Sequence, residues 1–299
     1  MTNAIFGQTL TAMVTPFDKN GEIDVEAVTN LVEYLLANGS DGIVVCGTTG
    51  ESPTLSHKEK LLLFSLVKNC VNGRGQVLAG SGSNDTAESI TLTMEAADIG
   101  VDGVLLVTPP YNKPSQEGLF QHFYAIASHV RIPCMVYNVP SRTARNLEAA
   151  TTIRLSREVP NIVAVKEASG DLMQCTEILA GAREGFALYS GEDGLTLPIL
   201  ALGGCGVVSV TSHLVGNEIK AMHSAFFAGH IKEAARINAS MLPIIKACFQ
   251  PTTSSPVPLK AALNMMGLPS GSLRLPLVEA NEQERAIVKS ALTEFGLLQ

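Results

Sequence analysis

Short runs of β-branched and other apolar residues alternate along this chain with longer stretches in which apolar residues recur every three or four positions. The first pattern is typical of buried strands and the second of amphipathic helices. The strand candidates are residues 10–14, 42–46, 76–79, 103–107, 133–137, 162–165, 186–189 and 207–210. The helix candidates, one after each strand, are residues 25–37, 58–71, 86–99, 116–130, 147–158, 172–183, 195–202 and, after the eighth strand, 217–228. Because each crossover is long enough to join parallel strands, the alternation predicts a parallel sheet with a helix after each strand.

Eight such strand and helix units predict an α/β protein with the (β/α)8 TIM-barrel fold. A length of 299 residues would suit two domains or one barrel, and the absence of a dinucleotide-binding fingerprint argues against a doubly wound sheet. We assign residues 1–228 to the barrel. Residues 229–299 are predicted to form a helical extension packed on the barrel, with helices at 230–249, 258–266 and 282–295 and a loop at 251–256.

The composition restricts what such a barrel could bind. Hydrophobic residues make up 46% of the chain and charged residues only 16%, which supports a large core. The net charge of -7 and the absence of a basic run argue against nucleic acid as a partner.

The chain does not open on a basic segment followed by an apolar one, so we expect no secretory signal and a cytoplasmic location. Residues 194–217 lack Asp, Glu, Lys and Arg, but their proline and glycines favour a helix, a turn and a buried strand over a membrane span.

Common metal and cofactor motifs are missing from the sequence. The six histidines show neither H-x-x-x-H nor H-E-x-x-H spacing, and the six cysteines include no C-x-x-C pair. The glycine-containing segment 47–50 matches neither the P-loop nor the dinucleotide-binding pattern. We therefore expect no metal and no cofactor, and we interpret the cysteines as reduced core residues.

One charged residue interrupts the pattern of buried strands. The apolar run at 162–165 is followed directly by Lys166, although buried strand positions seldom hold a lysine. Lys166 could leave the interior and pair with Glu167 or another surface carboxylate. Alternatively, burial could lower its pKa and leave a neutral amine that attacks a carbonyl carbon to form a Schiff base. The residues on neighbouring strands decide between these interpretations.

Polar residues follow several other predicted strands, at the edge where barrel enzymes carry their active sites. Thr48 and Thr49 follow the second strand, and their amides and hydroxyls could hold a small carboxylate or form a plain turn. Tyr137 ends the fifth strand, beside the strand of Lys166, and could relay protons or simply pack. Arg142 offers a second carboxylate site, unless it pairs with a surface acid. These neighbours favour the Schiff-base interpretation.

Six short motifs follow one another along the chain. They are GTTGE at 47–51, YNKP at 111–114, YNVP at 137–140, VKE at 165–167, SG at 190–191 and GGCG at 203–206. In this order they resemble the dihydrodipicolinate synthase and N-acetylneuraminate lyase family of pyruvate-dependent class I aldolases and lyases. The resemblance covers nearly the whole chain and implies a barrel enzyme that forms a Schiff base with pyruvate.

The resemblance implies a catalytic role for four residues. Lys166 would form the Schiff base, and Tyr137 would relay protons together with Thr48 and Tyr111. Tyr111 would reach across a subunit interface, which implies a homodimer as the smallest active unit. The family further suggests a homotetramer built from two such dimers.

The resemblance also implies four substrate-binding positions. Thr49 and its backbone would bind the carboxylate of pyruvate. Arg142 would hold the carboxylate of aspartate semialdehyde, and Gly191 with the backbone of Val208 would line the pocket.

Two details favour the synthase branch of this family. Threonine stands at both 48 and 49, and Ser-Arg-Thr follows at 141–143, whereas N-acetylneuraminate lyases usually carry Ser-Thr and lack this arginine. The implied reaction condenses pyruvate with L-aspartate 4-semialdehyde to 4-hydroxy-tetrahydrodipicolinate, in lysine and diaminopimelate biosynthesis. Two alternatives stay open: an aldolase or dehydratase of a sugar-derived 2-keto acid, such as N-acetylneuraminate or a keto-deoxy sugar acid, and a non-catalytic barrel that binds a ligand.

Inhibition by lysine occurs in some members of the family, at a cleft between subunits. The matching positions retained in this chain are Ser52, His57, Asn84 and Glu88. Three other positions depart from lysine-sensitive bacterial members, which typically have alanine, a histidine or glutamate, and an aromatic residue there; they are Pro53, Lys60 and Pro110. Because Lys60 adds positive charge near a cationic effector, we expect weak or absent inhibition by lysine.

Overall fold

The sheet of this protein closes on itself. The computed structural model describes residues 4–268 and 270–298, and within them eight strands form a closed barrel in the order β1 to β8. The strands are β1 Thr9–Ala12, β2 Gly42–Val45, β3 Gln76–Gly80, β4 Gly103–Val107, β5 Cys134–Asn138, β6 Ile162–Glu167, β7 Ala187–Ser190 and β8 Gly206–Ser209. The parallel strands and the helices between them confirm the predicted (β/α)8 TIM barrel.

At least one helix follows each strand, and four more helices complete the described chain. The helices are α1 Val25–Ala37, α2 His57–Val71, α3 Thr86–Ile99, α4 Gln116–Ser128, α5 Pro140–Thr143, α6 Ala149–Glu158, α7 Leu172–Gly181, α8 Thr196–Leu202, α9 Ser212–Phe227, α10 Ile231–Ser240, α11 Leu242–Cys248, α12 Val257–Met265 and α13 Glu282–Phe295. Several begin at a side chain that accepts a hydrogen bond from the first turn, as Asp24, Asp85 and Asp171 do. The helices with these three caps, α1, α3 and α7, begin at the predicted residues.

The chain forms two compact units. The first consists of residues 4–8 and Gln76–Val208, and it carries β3 to β7, most of β8 and helices α3 to α8. The second consists of Thr9–Gly75 and the described part of 209–298, and it carries β1, β2, α1, α2 and α9 to α13. A domain boundary at residue 228 stays a prediction.

One predicted helix of the tail is wrong. Residues 230–249 form two helices, α10 and α11, which are separated at Met241. Pro243 lies in the first turn of α11. Proline has no N–H and its ring clashes with the carbonyl four residues earlier, so it suits a helix start but not a helix interior.

Three further differences lie next to strand ends. Strand β6 continues to Glu167, because its pairing with β5 extends beyond Val165 to the last two residues of both strands. The short helix α5 was not predicted; it begins at Pro140, whose ring presets a helical φ. Helix α9 begins at Ser212 rather than at 217 and contains a non-helical residue, Val215.

The uncharged segment 194–217 forms α8, a turn, β8 and the start of α9, which confirms the predicted helix, turn and strand. None of the helices that the structure describes is both long and apolar enough to cross a membrane. All six cysteines are free, and all except Cys70 are buried, as their interpretation as core residues predicts.

Candidate active site

Lys166 lies on β6 with its side chain facing the barrel interior. Its partners on the neighbouring strands are Tyr137 of β5 and Tyr189 of β7. The next residue, Glu167, accepts a hydrogen bond from Gln174 of α7. Because successive strand residues face opposite sides of a sheet, Lys166 points away from that helix, and only 5% of it is exposed. The alternative of a surface ion pair between Lys166 and Glu167 is therefore wrong.

Burial makes the Lys166 amine a weaker base. Desolvation lowers its pKa from 10.5 to about 8, a shift that Asp193 and Glu192 oppose and that Arg142 assists. At that pKa, roughly a tenth of the amines are neutral at pH 7. The Nζ atom lies 4.2 Å from the centroid of the Tyr137 ring. A dehydrated and partly neutral amine is the form that attacks a carbonyl carbon.

Tyr137 and Arg142 come from one stretch of chain beside Lys166. Tyr137 lies on β5 and is only 5% exposed. The strand ends one residue later, and the short helix α5 then carries Arg142, whose side chain is exposed. Because Arg142 contributes to lowering the pKa of Lys166, its guanidinium lies within electrostatic range of the amine. The structure thus brings three of the predicted site residues together.

Gly191 follows β7 at a position where a side chain would not fit. An added Cβ atom would lie 2.6 Å from the Cβ atom of Ala168 and 3.1 Å from the Cε atom of Lys166. The Gly191 N–H donates to the carbonyl of Glu167 at 2.7 Å, which holds the two strand ends in this close approach. The absence of a side chain at Gly191 leaves room for the lysine.

Val208 and Tyr111 are the other residues of the first unit that were predicted for the active site. Val208 is buried within β8, with 1% exposed. Tyr111 lies in the loop before α4 with a left-handed φ of 73°, and 91% of it is exposed. A single chain therefore does not bury the Tyr111 phenol beside Lys166.

In the second unit, Thr48 and Thr49 lie in a tight turn after β2. The N–H of Glu51 donates to the Thr48 carbonyl at 3.1 Å, and that of Ser52 donates to the Gly47 carbonyl at 3.3 Å. Thr49 is only 5% exposed, yet within residues 4–268 and 270–298 its hydroxyl and its N–H have no hydrogen-bond partner. Donors without a partner in a turn are suited to binding an anion.

Two residues with left-handed backbone flank this turn, and one of them forms an ion pair with a lysine of the C-terminal tail. Cys46 and Glu51 both have a φ of 56°, which residues other than glycine rarely adopt. The Glu51 carboxylate forms a buried ion pair with Lys260 of α12, with 2.7 Å between Oε1 and Nζ. The Lys260 ammonium also donates to the carbonyls of Thr15 and Ser272, at 2.7 Å each. Lys260 is fully buried and fixes the end of the turn.

Sequence reasoning missed this support for the turn. The N–H of Arg274 donates to the second carboxylate oxygen of Glu51 at 3.0 Å, and its guanidinium forms an ion pair with Glu59. This pair lowers the pKa of Glu59 to about 2. A lone lysine, Lys260, in the otherwise apolar segment 257–263 was the one available signal.

The four positions of the predicted lysine site are divided between the two units. In the second unit, Ser52 opens a short 3-10 helix and His57 opens α2. In the first unit, Asn84 precedes α3 and Glu88 lies in its first turn. The carboxylate of Glu88 accepts a hydrogen bond from Ser83 at 3.1 Å.

Comparisons with known sequences agree over nearly the whole chain. The sequence profile of the Dihydrodipicolinate synthetase family matches residues 5–295. The 4-hydroxy-tetrahydrodipicolinate synthase of Moorella thermoacetica is 54% identical over 293 residues, which cover 98% of this chain and 99% of that protein. The 4-hydroxy-tetrahydrodipicolinate synthase of Bacillus subtilis is 52% identical over 290 residues, which cover 97% of this chain and 99% of that protein.

Solved structures show the same likeness. The dihydrodipicolinate synthase of Bacillus anthracis has a TM-score of 0.94 and 49% sequence identity, covering 98% of this chain and 99% of that one. The enzyme of Cyanidioschyzon merolae, solved with lysine bound, has a TM-score of 0.96 and 46% identity, with coverage of 98% and 99%.

Proposed function

The chain belongs to the dihydrodipicolinate synthetase family, and from this membership we propose that it condenses pyruvate with L-aspartate 4-semialdehyde to 4-hydroxy-tetrahydrodipicolinate, in lysine and diaminopimelate biosynthesis. The observation that carries the proposal is the buried Lys166 amine, which lies 4.2 Å from the centroid of the Tyr137 ring and has its pKa lowered to about 8. This is the amine that Schiff-base chemistry with a 2-keto acid requires.

The reaction begins when the neutral Nζ atom of Lys166 attacks C2 of pyruvate. The resulting carbinolamine loses water to give the imine, and loss of a proton from C3 gives an enamine. The C3 atom of the enamine attacks the aldehyde carbon of the second substrate. The amino group of that substrate then replaces Nζ at C2, which closes the ring and returns Lys166 as the free amine. One water is released for each pair of substrates.

We propose that Tyr137 moves protons during these steps, together with Thr48 and Tyr111. The carbinolamine needs a proton on its hydroxyl before water can leave, and a phenol within hydrogen-bond reach supplies one. The position of Tyr137 beside Lys166 supports its role. The roles of Thr48 and Tyr111 rest on the family resemblance.

We propose that Thr49 binds the carboxylate of pyruvate and that Arg142 binds the carboxylate of the semialdehyde. The unpartnered hydroxyl and N–H of Thr49 support the first assignment. The planar guanidinium of Arg142 suits a carboxylate, and its exposed position suits a substrate that enters second. Gly191 and the backbone of Val208 would line the pocket around Lys166.

We also propose that the active form is at least a homodimer, and that two such dimers form a homotetramer in the cytoplasm. The 91% exposure of Tyr111 leaves its phenol accessible to a second subunit, and the assembly itself rests on the family resemblance. In the dimer, Tyr111 of each subunit would enter the site of the other.

The proposed substrates can be tested against the alternatives by turnover. We expect rapid product formation from pyruvate and L-aspartate 4-semialdehyde, and at least ~10²-fold lower kcat/KM for N-acetylneuraminate and keto-deoxy sugar acids, because Arg142 would lack its carboxylate partner. Product formation is followed by absorbance and by mass. Preferential turnover of a sugar acid would replace the proposed reaction, and no turnover of any of them would support a binding protein.

We propose that lysine inhibits this enzyme weakly or not at all. The ammonium of Lys60 would repel a cationic effector bound near Ser52, His57, Asn84 and Glu88. We expect activity in the presence of millimolar lysine to stay within about twofold of the uninhibited rate. The variant Lys60→Glu should become more sensitive. Strong inhibition of the native chain by micromolar lysine would overturn this expectation.

A further inference from the structure

A buried carboxylate lies next to Lys166 on β6, on the opposite face of the strand. Glu167 is only 2% exposed, and none of the lysine or arginine side chains that the structure describes forms an ion pair with it. A buried charge without a counter-ion requires strong hydrogen bonding. Its Oε1 atom accepts from the N–H of Ser169 at 2.8 Å, and its Oε2 atom accepts from Gln174 at 3.0 Å.

The third donor to this carboxylate connects β6 to β5. The amide of Asn138 donates to both oxygens of Glu167, at 3.0 and 3.1 Å, and the two residues are paired across the strands. Asn138 follows Tyr137, just as Glu167 follows Lys166. The hydrogen bonds on the outer face of the strands therefore hold the ends of β5 and β6 in register, and Tyr137 and Lys166 project from the opposite face.

The same network holds the segment that carries Arg142. The Oδ1 atom of Asn138 accepts from the N–H of Leu147 at 2.9 Å, and its side-chain NH2 group donates to Asn146 at 2.7 Å. The amide of Asn146 in turn donates to Gln174 at 2.8 Å. The chain leaves Asn138, forms α5 with Arg142, and returns to Asn138 at residues 146 and 147. The side chain of Asn138 therefore holds the end of the segment that carries Arg142, and the segment begins at Asn138 itself.

We propose that Glu167 is a positioning residue of the condensation: its carboxylate fixes the ends of β5 and β6, and through Asn138 it sets the relative positions of Lys166, Tyr137 and Arg142. The inference rests on the proposed function. It accounts for an acid at this position, because three residues, Asn138, Ser169 and Gln174, donate hydrogen bonds to its carboxylate. A glutamine there would have a single acceptor oxygen, and its NH2 group would face another donor.

The variant Glu167→Gln tests the proposal. We expect kcat to fall about 10- to 100-fold, with KM for pyruvate changed less than about threefold, because misplacement affects the transition state more than substrate binding. The double variant Glu167→Gln/Gln174→Glu moves the carboxylate to the other side of the same hydrogen bond. It should restore kcat to within about fivefold of the native value. Glu177→Gln, the same change at an exposed position of α7, should leave kcat unchanged.

A second readout does not depend on substrate. Acetylation of Lys166 by acetic anhydride, measured by peptide mass across a pH series, reports the pKa of the amine. In the native protein, the midpoint of the rise in acetylation with pH should lie near pH 8. In Glu167→Gln it should rise by about half a unit or more, because a looser strand end admits water. If the native chain forms no product from pyruvate and L-aspartate 4-semialdehyde, the proposed function fails. The acetylation midpoint alone then decides the positioning role.

Several results would overturn the positioning role. One is a Glu167→Gln variant that keeps both kcat and the midpoint while its melting temperature falls, since the network would then serve only the fold. Another is a double variant that recovers the melting temperature but not kcat. If Glu167→Gln does not fold, Gln174→Met removes one donor and carries the test, with an expected fall in kcat of about 3- to 10-fold.

Discussion

Replacing Lys166 by methionine is expected to lower kcat/KM for pyruvate by at least about 10³-fold, because the amine that forms the Schiff base is removed and no other group can replace it. Methionine keeps an unbranched side chain of similar length in the buried site. The exposed Lys246→Met on α11 is the matched control and should keep native activity. Retention of more than a tenth of the native activity by Lys166→Met would contradict the proposed chemistry.

The substitution Lys166→Met should raise the stability of the fold, although it abolishes activity. The pKa of Lys166 is about 8 in the folded chain and 10.5 for the free group. The buried ammonium therefore destabilises the fold, and the whole of this effect is present below pH 8. Between pH 8 and 10.5 the unfolded chain binds more protons, and native stability rises with pH. Lys166→Met should therefore be more stable than the native chain at pH 7, and the difference should shrink above pH 8. Thermal melting at several pH values measures it.

Replacing Lys260 by methionine is expected to cost about 3–5 kcal/mol of unfolding free energy, because it leaves the Glu51 carboxylate buried without its counter-ion. Urea denaturation at pH 7 measures the loss. Lys220→Met is the matched control, since the ion pair of Lys220 with Asp41 lies at the surface. Its loss should be below ~1 kcal/mol.

The double variant Glu51→Gln/Lys260→Met separates two explanations of that loss. If the unpaired charge is the cause, removing both partners should recover at least about half of the stability lost in the single variant. If packing around the lysine stem is the cause, the double variant should be no more stable than Lys260→Met. A loss below ~1 kcal/mol in Lys260→Met would show that the ion pair does not hold the turn after β2.

The sequence predicted the barrel because hydrophobic periodicity and helix caps are local. Lys166 was found for the same reason, as one charge after an apolar run. The prediction was wrong where a single residue interrupts a helical pattern of apolar residues. Pro243 does so by dividing residues 230–249 into α10 and α11. It also ended β6 at residue 165, whereas the ladder to β5 continues to Glu167.

The support of the candidate site could not be predicted from local pattern. Glu51 and Lys260 are distant in sequence, and only the fold brings them within 2.7 Å. One of the two interpretations of Lys166 made Glu167 its surface partner, but the alternation of the strand places the two on opposite faces. The donors to Glu167 come from β5, α7 and the turn after β6, so its role follows from the packing of three elements.

The central claim is that Lys166 forms a Schiff base with pyruvate, and borohydride trapping tests it most directly. The native protein is treated with sodium borohydride with and without pyruvate, and its peptides are analysed by mass spectrometry. We expect one reduced pyruvate adduct per chain, on the peptide that contains Lys166, only when pyruvate is present. An intact protein with unmodified Lys166, or an adduct confined to another lysine, would contradict the claim.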